Sequence, residues 1–312
     1  MSWQNAPLLN KLTATQLGGE RGAQLWGVDV KGTLYSTYQT KRGSDWSEWR
    51  GPGWYTKNYP AQVYELAAAQ LDDGRSQLWV LDMKRQLWTI TQASAGGEWN
   101  DWQGPNWNKP PGNEKLKKLT AAHVTGGTKL WGILDDGMLI TCNITNSGAS
   151  QWDSFPKTSE ALPWIEVAAC KQGYQGGGAI WGIDSESKLW GNGQDPGTGR
   201  WGDWGKPNWK RAPKVKNIAA VEMGGGKGAT IFAIRDDYKV LYNYQTQTGM
   251  DSWMGWVDAD DGGTLSAYEI TAAAQNDSLG RVWAISLGQL LTSQAMVRST
   301  LMWERRWTPP VG

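Results

Sequence analysis

The sequence predicts an all-β chain that closes as a six-bladed β-propeller, with four antiparallel strands per blade and a repeat of about 50 residues. Three observations carry this. An apolar-aromatic pair returns six times: Leu25-Trp26, Leu78-Trp79, Leu130-Trp131, Ile180-Trp181, Ile231-Phe232 and Val282-Trp283. The aromatic members lie 53, 52, 50, 51 and 51 residues apart. Two further landmarks, one before and one after each pair, keep the same phase.

The first strand of each copy is built from small residues, about a dozen positions before the anchor. The copies are Leu12-Thr-Ala14, Leu66-Ala-Ala68, Leu119-Thr-Ala121, Val167-Ala-Ala169, Ile218-Ala-Ala220 and Ile270-Thr-Ala272. Innermost propeller strands crowd around a channel, where Ala and Thr fit and bulky side chains do not. The anchor strand follows. A third strand then begins at Leu34, Leu87, Leu139, Leu189, Leu241 and Leu290. The fourth starts 20 or 21 residues after the anchor, at Trp46, Trp99, Trp152, Trp201, Trp253 and Trp303. Large aromatics suit the widening gaps between blades, because each buries a large area. Gly, Asp, Asn and Lys turns separate the strands.

The chain reads as one domain, 1–312, with blades near 8–60, 61–113, 114–162, 163–214, 215–266 and 267–312 and with 1–7 closing the ring. Trp3 precedes Leu12 by the nine residues that separate Trp209 from Ile218. The N-terminal segment therefore takes the place of a linker after blade six, and both termini are expected at the junction of blades six and one.

Composition narrows the function. The chain holds 23 Trp, 40 Gly, 2 Phe and a single His, His123. One His excludes a multi-His metal centre and leaves little for His-based acid–base chemistry. Thirty-one basic and 30 acidic residues give a net charge of +1, against the basic surplus that nucleic acid or an anionic membrane calls for. No apolar run reaches transmembrane length, and no signal peptide is visible at Met1–Gln16, so synthesis is expected in the cytoplasm. Cys142 and Cys170 fall in strands at different radii and are expected to be free, buried thiols.

The run apolar-Trp-Gly-Val/Ile-Asp, a turn, Leu-Tyr/Trp, then Trp-x-x-Trp-x-Gly-Pro, resembles tectonin-type repeats over residues 8–312. It is most similar to the propeller lectins typified by the Photorhabdus lectin family. That resemblance implies sugar binding without enzymatic activity, with fucose and O-methylated sugars among the ligands and several members oligomeric. Relatives of this type can have seven blades; this sequence has six.

The site reading rests on repeat asymmetry. Trp46, Trp99, Trp152, Trp201, Trp253 and Trp303 occur in every copy and read as core. Residues three apart in a strand point to opposite faces, so Trp46 and Trp49 are expected in different inter-blade gaps. A third Trp follows only in copies one, two and four, at Trp54, Trp107 and Trp209, in connections that lie on the surface. Those three are the candidate sugar-stacking residues, with Trp49, Trp102 and Trp204 as the rim. The alternative role for the third Trp is a lid over the neighbouring gap.

Asp29, Asp82 and Asp184 repeat in separate blades and read as turn caps rather than a glycosidase pair. No catalytic set, metal site or cofactor is called for. The acidic run Asp258–Asp261 lacks EF-hand spacing and reads as a solvated loop. Gln16, Gln70, His123, Lys171 and Glu222 hold matching positions and should ring one mouth of the channel. Expected partners are glycans or glycoconjugates, with self-association compatible with the near-zero net charge. The alternative function is a protein-interaction scaffold or toxin-associated module.

Overall fold

The computed structural model describes residues 7–41, 45–51, 59–112, 114–155, 163–172, 177–205, 213–222, 228–246, 253–259, 266–275, 279–292 and 295–307. They form six antiparallel sheets in chain order, and these are the blades of a six-bladed propeller. Sheet one holds β1 (Leu9–Gln16), β2 (Ala23–Asp29) and β3 (Leu34–Tyr38); sheet two β4 (Val63–Gln70), β5 (Ser76–Asp82) and β6 (Leu87–Thr91). Sheet three holds β7 (Leu116–Val124), β8 (Gly127–Leu134) and β9 (Leu139–Thr145), with β10 (Gly148–Ala149) and β11 (Asp153–Ser154) on its edge. Sheet four holds β12 (Trp164–Lys171), β13 (Gly178–Asp184) and β14 (Leu189–Gly193). Sheet five holds β15 (Val215–Glu222), β16 (Ala229–Arg235), β17 (Val240–Tyr244) and β18 (Val257–Asp258); sheet six β19 (Glu269–Gln275), β20 (Leu279–Thr292) and β21 (Ala295–Trp307).

The inner strands β1, β4, β7, β12, β15 and β19 touch in chain order, and β19 returns to β1. At that closure the Tyr268 hydroxyl donates to the Leu9 carbonyl at 2.6 Å. The expected meeting of the termini there falls on residues outside those described.

The core is six wedges, one between each pair of blades. The wedge between blades one and two joins Trp26, Val28 and Leu34 to Leu66, Ala68, Val80 and Trp102. The last wedge joins blade six to blade one through Trp283, Ile285, Leu12, Leu25 and Trp46. Each anchor lies inside its strand and is almost wholly buried. The leading Trp of the next blade meets it edge-on: Trp99 on Trp26 at 5.5 Å and 85°, Trp201 on Trp131 at 5.7 Å and 89°, Trp253 on Trp181 at 5.9 Å and 87°. Ring closure repeats the contact, Trp46 on Trp283 at 5.7 Å and 86°.

Alternation fails in the fourth strand, and the expectation that its two tryptophans enter different gaps is corrected. Trp46 and Trp49 share one wedge, as do Trp99 and Trp102, Trp201 and Trp204, and Trp253 and Trp256. The reason is an extra residue. Gln39 pairs with Trp46 and Ser36 with Arg50, so three steps on the third strand face four on the fourth. The same offset occurs at Gln92–Trp99 with Thr89–Gln103, and at Gln194–Trp201 with Gly191–Gly205. A bulge of this kind shifts the pleat by one and returns the second Trp to the first one's side. In blade three the offset falls earlier, between Ala149, paired with Ile144, and Asp153, paired with Thr141, and the pairing is in register from Asp153 on. There the simple rule holds, with Trp152 in the wedge toward blade two and Phe155 in the wedge toward blade four.

Blade six also departs from expectation. Leu290-Leu291 is not a third strand beside the anchor. β20 runs on through it and turns, and β21 returns so that Ala284 pairs with Trp303 and Leu290 with Val297. In copies one, two and four an Asp three residues after the anchor ends the second strand in a tight turn; in copy six that position is Ser286 with no acid beside it. Without the turn signal, the strand continues.

Candidate functional site

The candidate site lies at the outer end of a wedge, where one blade's exit segment crosses to the next. Its base is a repeated device. Oδ1 of Asp29 accepts from the Lys31 and Thr33 amides, both at 2.8 Å, which closes the turn. Asp82 and Asp184 do the same for Lys84 and Gln86, and for Glu186 and Lys188. The other oxygen of each holds an aromatic six residues on: Tyr35 OH at 3.4 Å, Trp88 Nε1 at 3.1 Å, Trp190 Nε1 at 2.7 Å. The acids therefore cap turns, as the repeat implies, and they also aim a ring. Sequence reasoning missed that second role, although an Asp three residues after the anchor, with an aromatic donor six residues later, occurs in those three copies alone.

On Trp88 lies the Gly-Pro segment. A Cβ on Gly104, whose φ is +152°, would stand 2.5 Å from the Trp88 ring, so only glycine lets the chain rest there. The segment then carries Trp107 into the wedge between blades two and three. The Trp107 amide donates to the Leu87 carbonyl at 2.9 Å, and its half-buried ring packs on the cluster of Trp79, Leu87 and Trp152. The next residue ties the two blades together. Trp152 Nε1 donates to the Asn108 carbonyl at 2.6 Å, and Asn108 Nδ2 donates to the Ser150 carbonyl at 3.1 Å. A half-buried apolar ring thus stands beside the polar groups of Asn108 and Ser150.

The other candidates are placed as follows. Trp54 and Trp209 lie outside the described residues. Trp102 and Trp204 are each only 6% exposed, and Trp49 is half-buried. Trp204 stacks at 4.5 Å and 33° on Trp164. Because of the bulge, Trp102 faces the wedge before blade two, whereas Trp107 faces the wedge after it. Stacking residue and rim residue of the one copy described on both counts therefore serve adjacent clefts. Of the acidic run, Asp258 is in β18, Ala259 is buried, and Asp260 and Asp261 lie outside the described residues. Among the described residues, no three of His, Cys, Asp or Glu converge as metal ligands.

Gln16, Gln70, His123, Lys171 and Glu222 do line one cavity, at one mouth of the channel. His123 Nδ1 stands 3.2 Å from Asp72. Burial lowers the His123 pKa; Asp72 opposes this and Lys171 adds to it. Cys142 and Cys170 are free and buried, and burial pushes the Cys142 thiol up to about 12. Neither presents a thiolate.

The opposite end of the channel holds a collar that sequence reasoning missed. The residue before each inner-strand anchor is Lys11, Glu65, Lys118, Glu166, Asn217 and Glu269, one per blade. In five blades it sits at an irregularity in the pairing of the inner strand, which turns it off the regular pleat. Lys11 reaches Glu65 at 3.7 Å and Glu269 at 3.5 Å; Lys118 reaches Glu65 at 3.3 Å and Glu166 at 2.6 Å. Asn217 Nδ2 donates to Glu269 at 3.1 Å. The signal was available as an alternation of charge at a fixed repeat position.

Burial raises the Glu269 carboxyl from its ordinary 4.5 to about 7; Lys11 and Lys118 oppose this, and Glu65 and Glu166 reinforce it. Between those two values the folded chain holds a proton that the unfolded chain has lost. This group's contribution is therefore full below about 4.5 and falls away as pH rises through about 7. A melting-temperature profile from pH 5 to 8 should decline more steeply for the native chain than for Glu269→Gln. Parallel profiles would refute it.

No protein-family model matches the chain, and no curated protein matches it. Solved structures do. The fucose-specific lectin of Aleuria aurantia superposes with a TM-score of 0.62 at 13% identity, covering 94% of this chain and 95% of that one. A second structure of that lectin is described as a six-bladed β-propeller with a novel fucose recognition mode. AofleA from Arthrobotrys oligospora gives a TM-score of 0.61 at 14% identity, over 96% of this chain and 84% of that one. The BP39L lectin of Burkholderia pseudomallei gives 0.56 at 16% identity, over 89% and 79%. At this identity the likeness establishes the six-bladed fold.

Proposed function

We propose that the protein is a carbohydrate-binding propeller without catalytic activity, holding sugars in notches between neighbouring blades. The carrying observation is the half-buried Trp107 ring beside Asn108 and Ser150. Sugars pack axial C–H groups on an aromatic face and need convergent polar partners for their hydroxyls. Half-buried Trp107 offers the face, and Asn108 with Ser150 offers the polar edge. Trp54 and Trp209 follow the same motif and would supply equivalent faces, with Trp49, Trp102 and Trp204 as walls of the adjoining wedges. Several weak sites on one ring gain strength by multivalency.

Three structures of two neighbours in fold support the ligand class. The Aleuria aurantia protein is described as fucose-specific, a variant of it is bound to α-methyl-L-fucoside, and SapL1 is bound to α-methyl fucoside. Fucose and O-methylated sugars, the ligands implied by the tectonin-type resemblance, are the first to test.

A glycan array with the purified chain should give hits sharing one terminal sugar. Replacing Trp54, Trp107 and Trp209 together by Ala should abolish them while leaving the melting profile cooperative. Unchanged binding in that triple variant would refute the stacking assignment.

A second reading, a protein-interaction scaffold, is favoured by the end of the propeller where β1 begins. Leu8 and Val30 of blade one and Tyr64 and Met83 of blade two are exposed there, and apolar exposure on neighbouring blades is a feature of contact surfaces. A blank array on folded protein would select it.

A further inference from the structure

We propose that the channel collar is a binding site for one small monovalent cation, seated against Glu269 and Asn217 at blade five. The collar alternates acid and base around the ring until that point. Lys11 bridges Glu269 and Glu65, and Lys118 bridges Glu65 and Glu166. The next place, between Glu166 and Glu269, would hold a third cation if the pattern continued. It holds Asn217. Three carboxylates and two ammonium groups leave the ring one positive charge short.

The oxygens at the break are oriented for a cation. Asn217 is 8% exposed and lines the channel cavity. Its Nδ2 is committed to Glu269 Oε2, which turns Oδ1 away, and Oδ1 accepts no hydrogen bond among the described residues. Glu269, also 8% exposed, takes Asn217 and Lys11 on Oε2 and has no protein donor on Oε1 among the described residues. Neither oxygen is sealed in protein, so both open on the cavity. The cavity measures about 90 Å3, room for an ion and water.

A buried carboxylate short of a counter-charge is costly and draws in a proton or a cation. Burial raises the Glu269 carboxyl above its ordinary value, and Lys11 and Lys118 offset this only in part. Two unpaired oxygens and one missing charge fit a singly charged ion. No set of three acids converges for a divalent metal among the described residues. Potassium, sodium and a primary ammonium group share the required chemistry.

Thermal unfolding of the full chain tests this at pH 8, with ionic strength held constant. Tetraethylammonium chloride, too bulky for the break, is exchanged for sodium, potassium or methylammonium chloride. We expect a saturable rise in Tm of about 2–4 °C with at least one of the three. A response to sodium or potassium alone identifies an alkali-ion site, and one that includes methylammonium identifies an amine site. Asn217→Lys should supply the missing charge covalently, raise Tm in tetraethylammonium, and abolish the response. If that variant does not fold, Glu269→Gln should abolish the response by removing the deficit. Equal Tm in all four salts, or a response that survives in the folded variant, overturns the proposal.

Discussion

Trp131→Ala is expected to destabilise the chain by about 3–5 kcal/mol, the cost of emptying a large buried aromatic site. Trp131 is fully buried in the wedge between blades three and four, with Ile133, Leu139, Phe155 and Trp164 around it. It also carries the edge-on contact with Trp201, and such aromatic pairs contribute about 0.5–1.5 kcal/mol beyond area. The loss falls on an inter-blade junction, so it weakens the ring and not merely one sheet. Trp131→Phe should be markedly milder, because among the described residues the indole Nε1–H has no hydrogen-bond acceptor to lose. Urea unfolding measures both. A Trp131→Ala loss below about 1 kcal/mol would show that the anchors do not hold the blades together.

Lys118→Ala is expected to cost a similar amount, about 3–5 kcal/mol, for a different reason. Its ammonium is shared by Glu65 and Glu166 and is itself mostly buried. Removing it leaves two carboxylates facing the channel with Lys11 alone, at 3.7 Å from Glu65, in reach of one of them. The penalty is that of unpaired buried charge rather than the worth of the pair. Replacing the whole unit, Glu65→Gln with Lys118→Met and Glu166→Gln, should therefore recover most of the loss. If the single and triple variants unfold at the same urea concentration, the loss lies in packing and not in charge.

The period, the Ala-and-Thr inner strands and the anchor tryptophans were legible because each is a local pattern repeated in phase. The Asp caps were legible because an Asx turn is made within a few residues. Blade six was misread because its turn signal is missing, and only pairing with β21 shows what replaces the third strand. Trp54 and Trp209 were found by motif, whereas the wedge that Trp107 enters came from the fold.

What the sequence determined by itself is the number of blades, the residues that anchor them and the turns that end their strands, since all depend on short-range chemistry at a fixed spacing. The tertiary structure decided which gap each fourth-strand Trp enters, because one bulged residue inverts the pleat and carries no composition signal. It also decided that Lys11, Glu65, Lys118, Glu166, Asn217 and Glu269 meet. Residues about 50 positions apart become neighbours only when the ring closes, and closure alone turns six separate side chains into one collar short of a charge.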